Sequence, residues 1–184
     1  MVGTEEEPSL VLVTGLQGTG KSTVASAIAQ RLSTAVLAHD WAMSGLRPFS
    51  EVETVLHDMG PFGHRIVGWS ILNALAQHQL RDRRSVVLDG VARAPEVERC
   101  RSCAQSEMAR FSLVVTYCSD LELHRSRVEG RQRLIPNWYE LEWSHVERSI
   151  ETWEPPEHAD LSLDAASKWE ENAALLDAFL DARP

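Results

Sequence analysis

The chain has 184 residues, of which 43% are hydrophobic and 24% are charged, and its formal net charge is −9. This length and composition favour one globular domain with its own apolar core, and we expect it to span residues 1–184. The acidic balance argues against a protein that holds long nucleic acid by its phosphates. No apolar run approaches the length of a membrane span, so we expect no contact with a membrane.

The N-terminus and the cysteines indicate the expected cellular compartment. Residues Met1–Pro8 are acidic and lack the basic start and apolar stretch of a secretory signal, so we expect a flexible lead-in to the first strand. Three cysteines fit a reducing compartment better than a disulfide scaffold, which predicts a cytoplasmic protein. Cys100 and Cys103 form a C-x-x-C pair inside a predicted helix, with no second pair to complete a zinc site. We expect them to be structural thiols.

The stretch from Leu10 to Thr23 organises the rest of the chain. A short apolar run rich in β-branched residues predicts a buried strand, and a helical pattern follows over residues 22–32. Between them the sequence fits G-x-x-x-x-G-K-[ST], and this strand–turn–helix context indicates a P-loop. Its glycines let backbone N–H groups converge on phosphate, the lysine can reach the β- and γ-phosphates, and the serine can ligate Mg²⁺. The predicted nucleotide-binding residues are Gly15, Gln17, Gly18, Thr19, Gly20, Lys21, Ser22 and Thr23.

Strands and helices alternate through the remainder of the chain. Short apolar strands joined by helical crossovers predict an α/β fold, in which a parallel sheet is covered by helices on both faces. Right-handed crossovers bring the carboxyl ends of the strands to one edge, where ligands bind in such sheets. Further strands are predicted over residues 34–38, 85–89, 111–117 and 161–164. Further helices are predicted over residues 50–58, 62–80, 95–108, 121–133, 141–153 and 167–182.

Two acidic residues come at the ends of predicted strands. Asp89 ends a buried apolar strand, where its carboxylate can hold Mg²⁺ through water beside Ser22; the alternative is a helix cap. Asp40 ends the neighbouring strand, where it can accept a proton from a hydroxyl that attacks the γ-phosphate; the alternative is a turn residue. Because side chains alternate along a strand, His39 is expected to face away from Asp40 and to pack.

The helix predicted over residues 121–133 carries four arginines. Arg127 and Arg131 are four residues apart and would share one helix face. Guanidinium groups that close over a triphosphate neutralise charge in the transition state. An exposed basic face paired with nearby acids is the alternative. We favour a mobile lid over about residues 121–140, with Arg127 and Arg131 as catalytic residues.

These features together resemble the small P-loop kinases, and within them the AAA-domain kinase-like ATP-binding proteins. That group includes chloramphenicol phosphotransferase, gluconate kinase, zeta toxins and the kinase domain of polynucleotide kinases. The resemblance covers about residues 9–180. It implies a P-loop NTPase three-layer sandwich with strand order 2-3-1-4-5, ATP phosphates on Gly18–Ser22, and Mg²⁺ at Ser22. It also implies catalytic roles for Lys21 and Asp40 and lid arginines at Arg127 and Arg131.

The acceptor is expected to bind to residues 41–69, between Asp40 and the third strand. This segment mixes aromatic and basic side chains, which suits a small polar molecule with an apolar part. Trp41 and Trp69 are as well explained by core packing as by ligand contact. Arg47 and Arg65, with Arg93 further along, could bind an anionic group or be solvated surface residues.

The leading hypothesis is a kinase that transfers the γ-phosphate of ATP to the hydroxyl of a small molecule, with Asp40 as base. A 5′-hydroxyl polynucleotide kinase is an alternative that the net charge disfavours. A non-catalytic, ATP-binding regulator is another. The sequence leaves the acceptor, the choice between ATP and GTP, and the choice between monomer and homodimer open.

Overall fold

The computed structural model describes residues 7–182, which form one parallel β-sheet and its flanking helices. The strands are β1 Ser9–Thr14, β2 Val36–Ala38, β3 Val86–Asp89, β4 Arg110–Tyr117 and β5 Leu161–Asp164. The helices are α1 Lys21–Arg31, α2 His39–Ser44, α3 Ser50–Asp58, α4 Gly63–Arg81, α5 Ala94–Ser106, α6 Leu121–Glu129, α7 Trp143–Thr152 and α8 Trp169–Asp181. Of the predicted lead-in, residues 1–6 lie outside the described residues.

The five strands of the described chain lie in the order β2-β3-β1-β4-β5, and every neighbouring pair is parallel. The predicted α/β fold and the strand order of a P-loop NTPase are therefore confirmed. Strand β1 lies in the middle of the sheet and is almost wholly buried, which explains its uninterrupted apolar sequence. The loop that follows β1 consequently leaves the centre of the carboxyl edge.

Apolar side chains form a core on each face of the sheet. Leu10, Leu12 and Leu88 point to one face and pack with α4 and α5, in a cluster that includes the buried Trp69. Alternate residues of the same strands, such as Val11, point to the other face and pack with α1 and α8. Because side chains are buried on both faces, the register of each strand is fixed, and so is the position of its last residue at the carboxyl edge.

Strand register brings the predicted acidic residues to the central loop. Val13 of β1 pairs with Asp89 of β3, and Ala38 of β2 pairs with the same Asp89. Asp40 comes two residues after Ala38, in the first turn of α2. Asp89 consequently lies between the P-loop and Asp40 along the sheet edge.

The structure corrects two of the predicted helix details. The helix expected over residues 121–133 ends at Glu129, because Gly130 caps it and an irregular segment follows, so Arg131 does not share a helix face with Arg127. In the sequence, Ser50 followed three residues later by Glu53 fits a capping box, which predicts Ser50 as the N-cap of this helix. Instead α3 begins at Ser50 itself, its N-cap is Phe49, and no side chain caps its backbone.

Tertiary packing also changes the predicted exposure of several apolar residues. Trp69 is 2% exposed and belongs to the core, whereas Trp41 is 56% exposed, so a core role for Trp41 is wrong. The spacing of Ile66 and Leu75 in the sequence predicts that they lie on the apolar face of α4. Both are exposed instead, because α4 packs on the sheet through a narrower face that carries Trp69, Leu72 and Ala76.

The C-x-x-C pair lies on α5 as expected. Cys100 and Cys103 are free and buried, and burial raises the pKa of the Cys100 thiol to about 12, which keeps it protonated. They are therefore structural residues. Within residues 7–182, no helix is both long and apolar enough to span a lipid bilayer.

Candidate active site

The loop between β1 and α1 has the backbone conformation of a phosphate-binding loop. Gly15 has φ +150°, and a Cβ atom there would lie 2.1 Å from the backbone oxygen of Thr116. Gly18 has φ +85°, and a Cβ atom there would lie 2.6 Å from Val128. Neither position accepts a side chain without displacing its neighbours, so both glycines are needed for this fold of the loop. Helix α1 begins at Lys21, and its first amides face the loop.

Side chains of the loop hold its shape. Lys21 Nζ donates a 2.8 Å hydrogen bond to the Leu16 carbonyl, which curls the loop over the start of α1. Thr19 Oγ1 lies 2.7 Å from Leu16 O and 2.7 Å from Thr116 Oγ1, so it ties the loop to β4. These hydrogen bonds hold the backbone of the loop in one conformation before any ligand binds.

The charges nearest the loop are buried and interdependent. Burial lowers the pKa of Lys21, while Asp89 and Asp40 oppose this shift. Burial raises the pKa of Asp89, and Lys21 and a hydrogen bond donated by Ser22 oppose it. Burial disfavours the charged form of both groups. A bound phosphate would stabilise the charge on Lys21, and a bound metal cation would stabilise the charge on Asp89.

The Ser22 and Asp89 pair fits a site for Mg²⁺. Magnesium favours a few protein oxygens combined with water and phosphate oxygens, and a hydroxyl beside a carboxylate provides such oxygens. No group of three or more His, Cys, Asp or Glu side chains suited to a metal occurs within the described residues. The residues present therefore fit a cation shared with a nucleotide rather than one held by protein ligands alone.

Asp40 is held between a histidine and an arginine. Arg133 Nη1 donates a 2.6 Å hydrogen bond to Asp40 Oδ2, and His39 Nδ1 lies 3.4 Å from Asp40 Oδ1. Burial alone would raise the pKa of Asp40, but the hydrogen bond and charge of His39, together with Arg133 and Lys21, lower it. Asp40 is consequently a carboxylate at neutral pH, and 38% of its side chain remains exposed.

His39 does not face away from Asp40, as alternation along a strand predicted. The strand β2 ends at Ala38, and His39 and Asp40 lie in the first turn of α2, where successive side chains do not alternate. The ring of His39 also packs against Trp69, with ring centroids 5.9 Å apart. His39 therefore combines the predicted packing role with a hydrogen bond that orients Asp40.

Lys21, Asp40 and Asp89 line the same cavity, which has a volume of about 530 Å³. Ser22, Gln17 and Gly18 line its floor. Arg131, Arg133 and Glu140 reach it from the irregular segment after α6. Of the segment predicted to hold the acceptor, residues 41–69, Trp41 is the lining residue. The lid segment thus contributes more of the wall than the sequence indicated.

Helix α6, the first part of the predicted lid, is joined to the P-loop by a hydrogen bond. His124 on α6 is buried, and its Nε2 donates a 2.6 Å hydrogen bond to the Gln17 carbonyl. His124 also meets Trp143 of α7 edge to face, with ring centroids 5.3 Å apart, and Trp143 packs with Val128 and Val146. Helix α6 is therefore an anchored element, and the segment after Gly130 extends from it over the cavity.

A second cavity of about 440 Å³ lies on the other side of the P-loop. It is lined by Thr23 and Thr116 and by residues that follow β5, including Ala165, Ser167 and Trp169. Arg127 lines this cavity and donates a 2.6 Å hydrogen bond to the Ala165 carbonyl. Arg131 lines both cavities, which also share Gly18 and Ser22. The two predicted lid arginines therefore share the second cavity, and Arg131 also reaches the first.

Sequence reasoning did not single out Arg133 and Glu140 as site residues. Arg133 is only 9% exposed, and Glu140 accepts hydrogen bonds from the backbone amides of Arg133 and Leu134. The Arg-rich run was a signal for a lid. Which of its arginines meets Asp40 depends on where α6 ends, and no local pattern gave that position.

Comparisons with known proteins agree with this arrangement. The sequence profile of an AAA domain family matches residues 10–156, from β1 through α7. The chain belongs to the AAA domain family. No curated protein sequence matches this AAA domain.

Solved structures share the fold of this AAA domain at low sequence identity. A gluconokinase from Sinorhizobium meliloti 1021 is 20% identical with a TM-score of 0.68, and 95% of this chain and 93% of that chain are covered. The Mycobacterium tuberculosis APS kinase CysC, in complex with AMPPNP and APS, is 20% identical with a TM-score of 0.62, covering 95% and 98%. Chaetomium thermophilum Kti12, in complex with ADP-AlF3, is 18% identical with a TM-score of 0.66, covering 95% and 99%. The fold is thus that of P-loop kinases.

Proposed function

We propose that this protein is an ATP-dependent phosphotransferase that moves the γ-phosphate to a hydroxyl of a small molecule. The observation that supports this most is the single cavity in which Lys21, Asp89 and Asp40 meet beside the P-loop. A P-loop by itself indicates nucleotide binding. A second carboxylate, exposed in the same cavity and separate from the Ser22–Asp89 pair, adds a group that can receive an acceptor.

The nucleotide would lie across the P-loop. The backbone amides of the loop and Lys21 would bind the phosphates, and the nucleoside would lie in the second cavity against residues 165–169. Ser22 would ligate Mg²⁺ and Asp89 would hold it through water. When bound, Mg²⁺ neutralises charge on the β- and γ-phosphates. Adenine would then approach Trp169, which is 42% exposed and lines that cavity.

Asp40 would orient the acceptor hydroxyl and accept its proton. Its Oδ2 accepts from Arg133 and its Oδ1 lies 3.4 Å from His39 Nδ1, so the remaining lone pair of Oδ1 would face the hydroxyl. A carboxylate with a lowered pKa is a weak base, but phosphoryl transfer proceeds through a loose transition state in which positioning contributes most. We therefore assign Asp40 chiefly to orientation, with proton acceptance as the bond to phosphorus forms.

The lid arginines would act at different points. Arg131 lies at the boundary of both cavities, where it can neutralise charge on the phosphoryl group in transit. Arg127 lines the nucleotide cavity and would contact the nucleotide there. The lid segment would exclude water from the transfer, since a phosphotransferase must favour its acceptor over hydrolysis.

Replacing Asp40 tests this proposal. Asp40→Asn keeps the shape of the side chain and removes its charge, so we expect transfer to fall by about 10²–10⁴-fold while ATP binding changes little. Asp58→Asn, at an exposed position at the end of α3, is the matched control. ATP binding is measured by calorimetry, and transfer by conversion of labelled ATP with a library of hydroxyl compounds. Full transfer in Asp40→Asn would remove Asp40 from this role.

A further inference from the structure

The acceptor end of the larger cavity can be separated from its phosphate end. Lys21, Ser22 and Asp89 lie at the P-loop, and Arg131 bridges to the nucleotide cavity. Asp40 lies at the other end, together with Arg133 and Glu140 of the lid segment. The charges around Asp40 therefore determine which acceptors are tolerated.

Arg133, the arginine at this end of the cavity, is surrounded by three protein oxygens. Arg133 Nη1 binds Asp40, and its Nη2 donates to the backbone oxygen of Tyr139. Its Nε is buried, has no hydrogen-bond partner, and lies 3.6 Å from Glu140 Oε2, within ion-pair range. Both terminal nitrogens of Arg133 thus donate to protein oxygens, and its Nε faces the Glu140 carboxylate, so two carboxylates share this one cation.

The arginines that the sequence offered as anion ligands are engaged elsewhere. Arg47 Nη1 donates a 2.7 Å hydrogen bond to Glu53 Oε2, and Arg65 pairs with the buried Glu96 at 3.3 Å. Arg93 Nη1 donates a 2.7 Å hydrogen bond to the backbone oxygen of Thr152. None of the three lines the cavity. Each is therefore a structural ion pair or hydrogen bond in the described chain.

Two carboxylates face this single arginine. Glu140 Oε1 accepts hydrogen bonds from the backbone amides of Arg133 and Leu134, at 3.0 and 3.3 Å, which fixes it at the cavity wall. The bond from the Arg133 amide contributes most to lowering the pKa of Glu140, so it is ionised at neutral pH. The acceptor end consequently carries a net negative charge before any acceptor enters.

The rest of the wall at this end is apolar. Trp41, Val91, Ile135 and Leu141 line the same cavity as Asp40 and Glu140. Trp41 exposes 56% of its surface and so can cover an apolar part of a bound molecule. An anionic group placed here would meet two carboxylates that share one arginine, beside an apolar wall that weakly solvates charge.

We infer that the acceptor is a hydroxyl compound without an anionic group: an uncharged or cationic alcohol with an apolar part. This inference rests on the proposed function and narrows it. It excludes sugar acids, phosphorylated sugars, nucleotides and 5′-hydroxyl oligonucleotides as preferred acceptors. Glu140 is accordingly a specificity-determining residue, because it excludes anions and occupies the free edge of Arg133.

The test is a competition between acceptors of different charge. Purified full-length protein is incubated with ATP, Mg²⁺ and equal numbers of uncharged, cationic and anionic hydroxyl compounds, a 5′-hydroxyl oligonucleotide among the last. Products are identified by mass spectrometry, and the best acceptor is compared with its own carboxylated analogue. We expect uncharged or cationic products, and a kcat/KM at least about tenfold lower for the carboxylated analogue.

Equal or faster phosphorylation of the anionic compounds would overturn the inference and leave the phosphotransferase assignment standing. Absence of any phosphorylated product, although ATP binds, would overturn both.

A variant of Glu140 tests the same inference independently. Glu140→Gln keeps an oxygen for the backbone amides and removes the charge, so the ratio of kcat/KM for the carboxylated analogue to that for the parent acceptor should rise about tenfold. Glu142→Gln, two residues away, exposed and outside the cavity lining, is the matched control and should leave the ratio unchanged. An unchanged ratio in Glu140→Gln would remove Glu140 from this role.

Discussion

The phosphate end and the acceptor end of the cavity are built in different ways. The turn of the P-loop is formed by local contacts, such as Lys21 Nζ to Leu16 O five positions earlier, and distant residues only support it. The acceptor end is closed by Arg133 and Asp40, which are 93 positions apart. One end is therefore determined by a local sequence pattern, and the other by how a lid segment meets a distant helix.

This difference shows how the fold can keep one binding partner and change the other. The P-loop depends on glycines that permit its backbone path, so few substitutions preserve it. The acceptor end depends on side chains from an irregular segment, which can vary without altering the sheet. The solved structures of the same fold include a gluconokinase and an APS kinase, whose names specify different acceptors.

A large effect on the Mg²⁺ requirement is expected from Asp89 at the phosphate end. Asp89→Asn removes the charge beside Ser22, so we expect the Mg²⁺ requirement to rise and transfer at limiting Mg²⁺ to fall by about 10–100-fold. Asp82→Asn, at the exposed end of α4, is the control. A Mg²⁺ titration of the transfer rate measures the effect. Superimposable titrations for both variants would contradict a role for Asp89 at the metal.

An intermediate effect is expected at the contact between α6 and the P-loop. His124→Ala removes the donor to the Gln17 carbonyl and leaves that buried oxygen unpaired, which should lower the free energy of unfolding by about 1–3 kcal/mol. His145→Ala on α7 is the control, because the side chain of His145 is exposed. Chemical denaturation of both variants measures the difference. Equal midpoints would show that the lid does not depend on this contact.

The smallest effect is a shift in pH dependence at the acceptor end. Asp40 must be ionised to accept a proton, so transfer declines as pH falls through its pKa. His39 and Arg133 lower that pKa, and Arg133→Met should raise it, moving the acidic limb of kcat/KM to higher pH by up to about one unit. Arg125→Met, in an exposed pair with Glu129, is the control. An acidic limb that does not move, or moves to lower pH, contradicts the pairing.

The sequence was sufficient to predict the sheet and the P-loop, because both depend on local rules. Buried β-branched runs predict strands, and glycine, lysine and serine at fixed spacing predict the loop between Gly15 and Ser22. Asp40 and Asp89 could also be placed at one sheet edge, since parallel strands end on the same side. The structure brings Lys21, Asp40 and Asp89 to one cavity, as those rules require.

The lid and the surroundings of Asp40 could not be predicted in the same way. The helix predicted from residue spacing extended beyond Gly130, so Arg131 was assigned to a helix. In the structure it lies in the irregular segment that follows α6. The orientation of His39 was predicted from a strand that ends one residue earlier. The partner of Asp40 depends on tertiary contacts between the lid and α2, which no single-sequence pattern specifies.

The central claim is that the P-loop end of the cavity binds ATP, whereas Asp40 at the acceptor end acts in phosphoryl transfer and not in ATP binding. Lys21→Ala and Asp40→Asn, measured side by side for ATP affinity and for phosphoryl transfer, test it most directly. We expect Lys21→Ala to weaken ATP binding and to lower transfer by about 10³-fold or more, and Asp40→Asn to lower transfer with ATP affinity nearly unchanged. Loss of ATP binding in Asp40→Asn, or undiminished transfer in either variant, would contradict the claim.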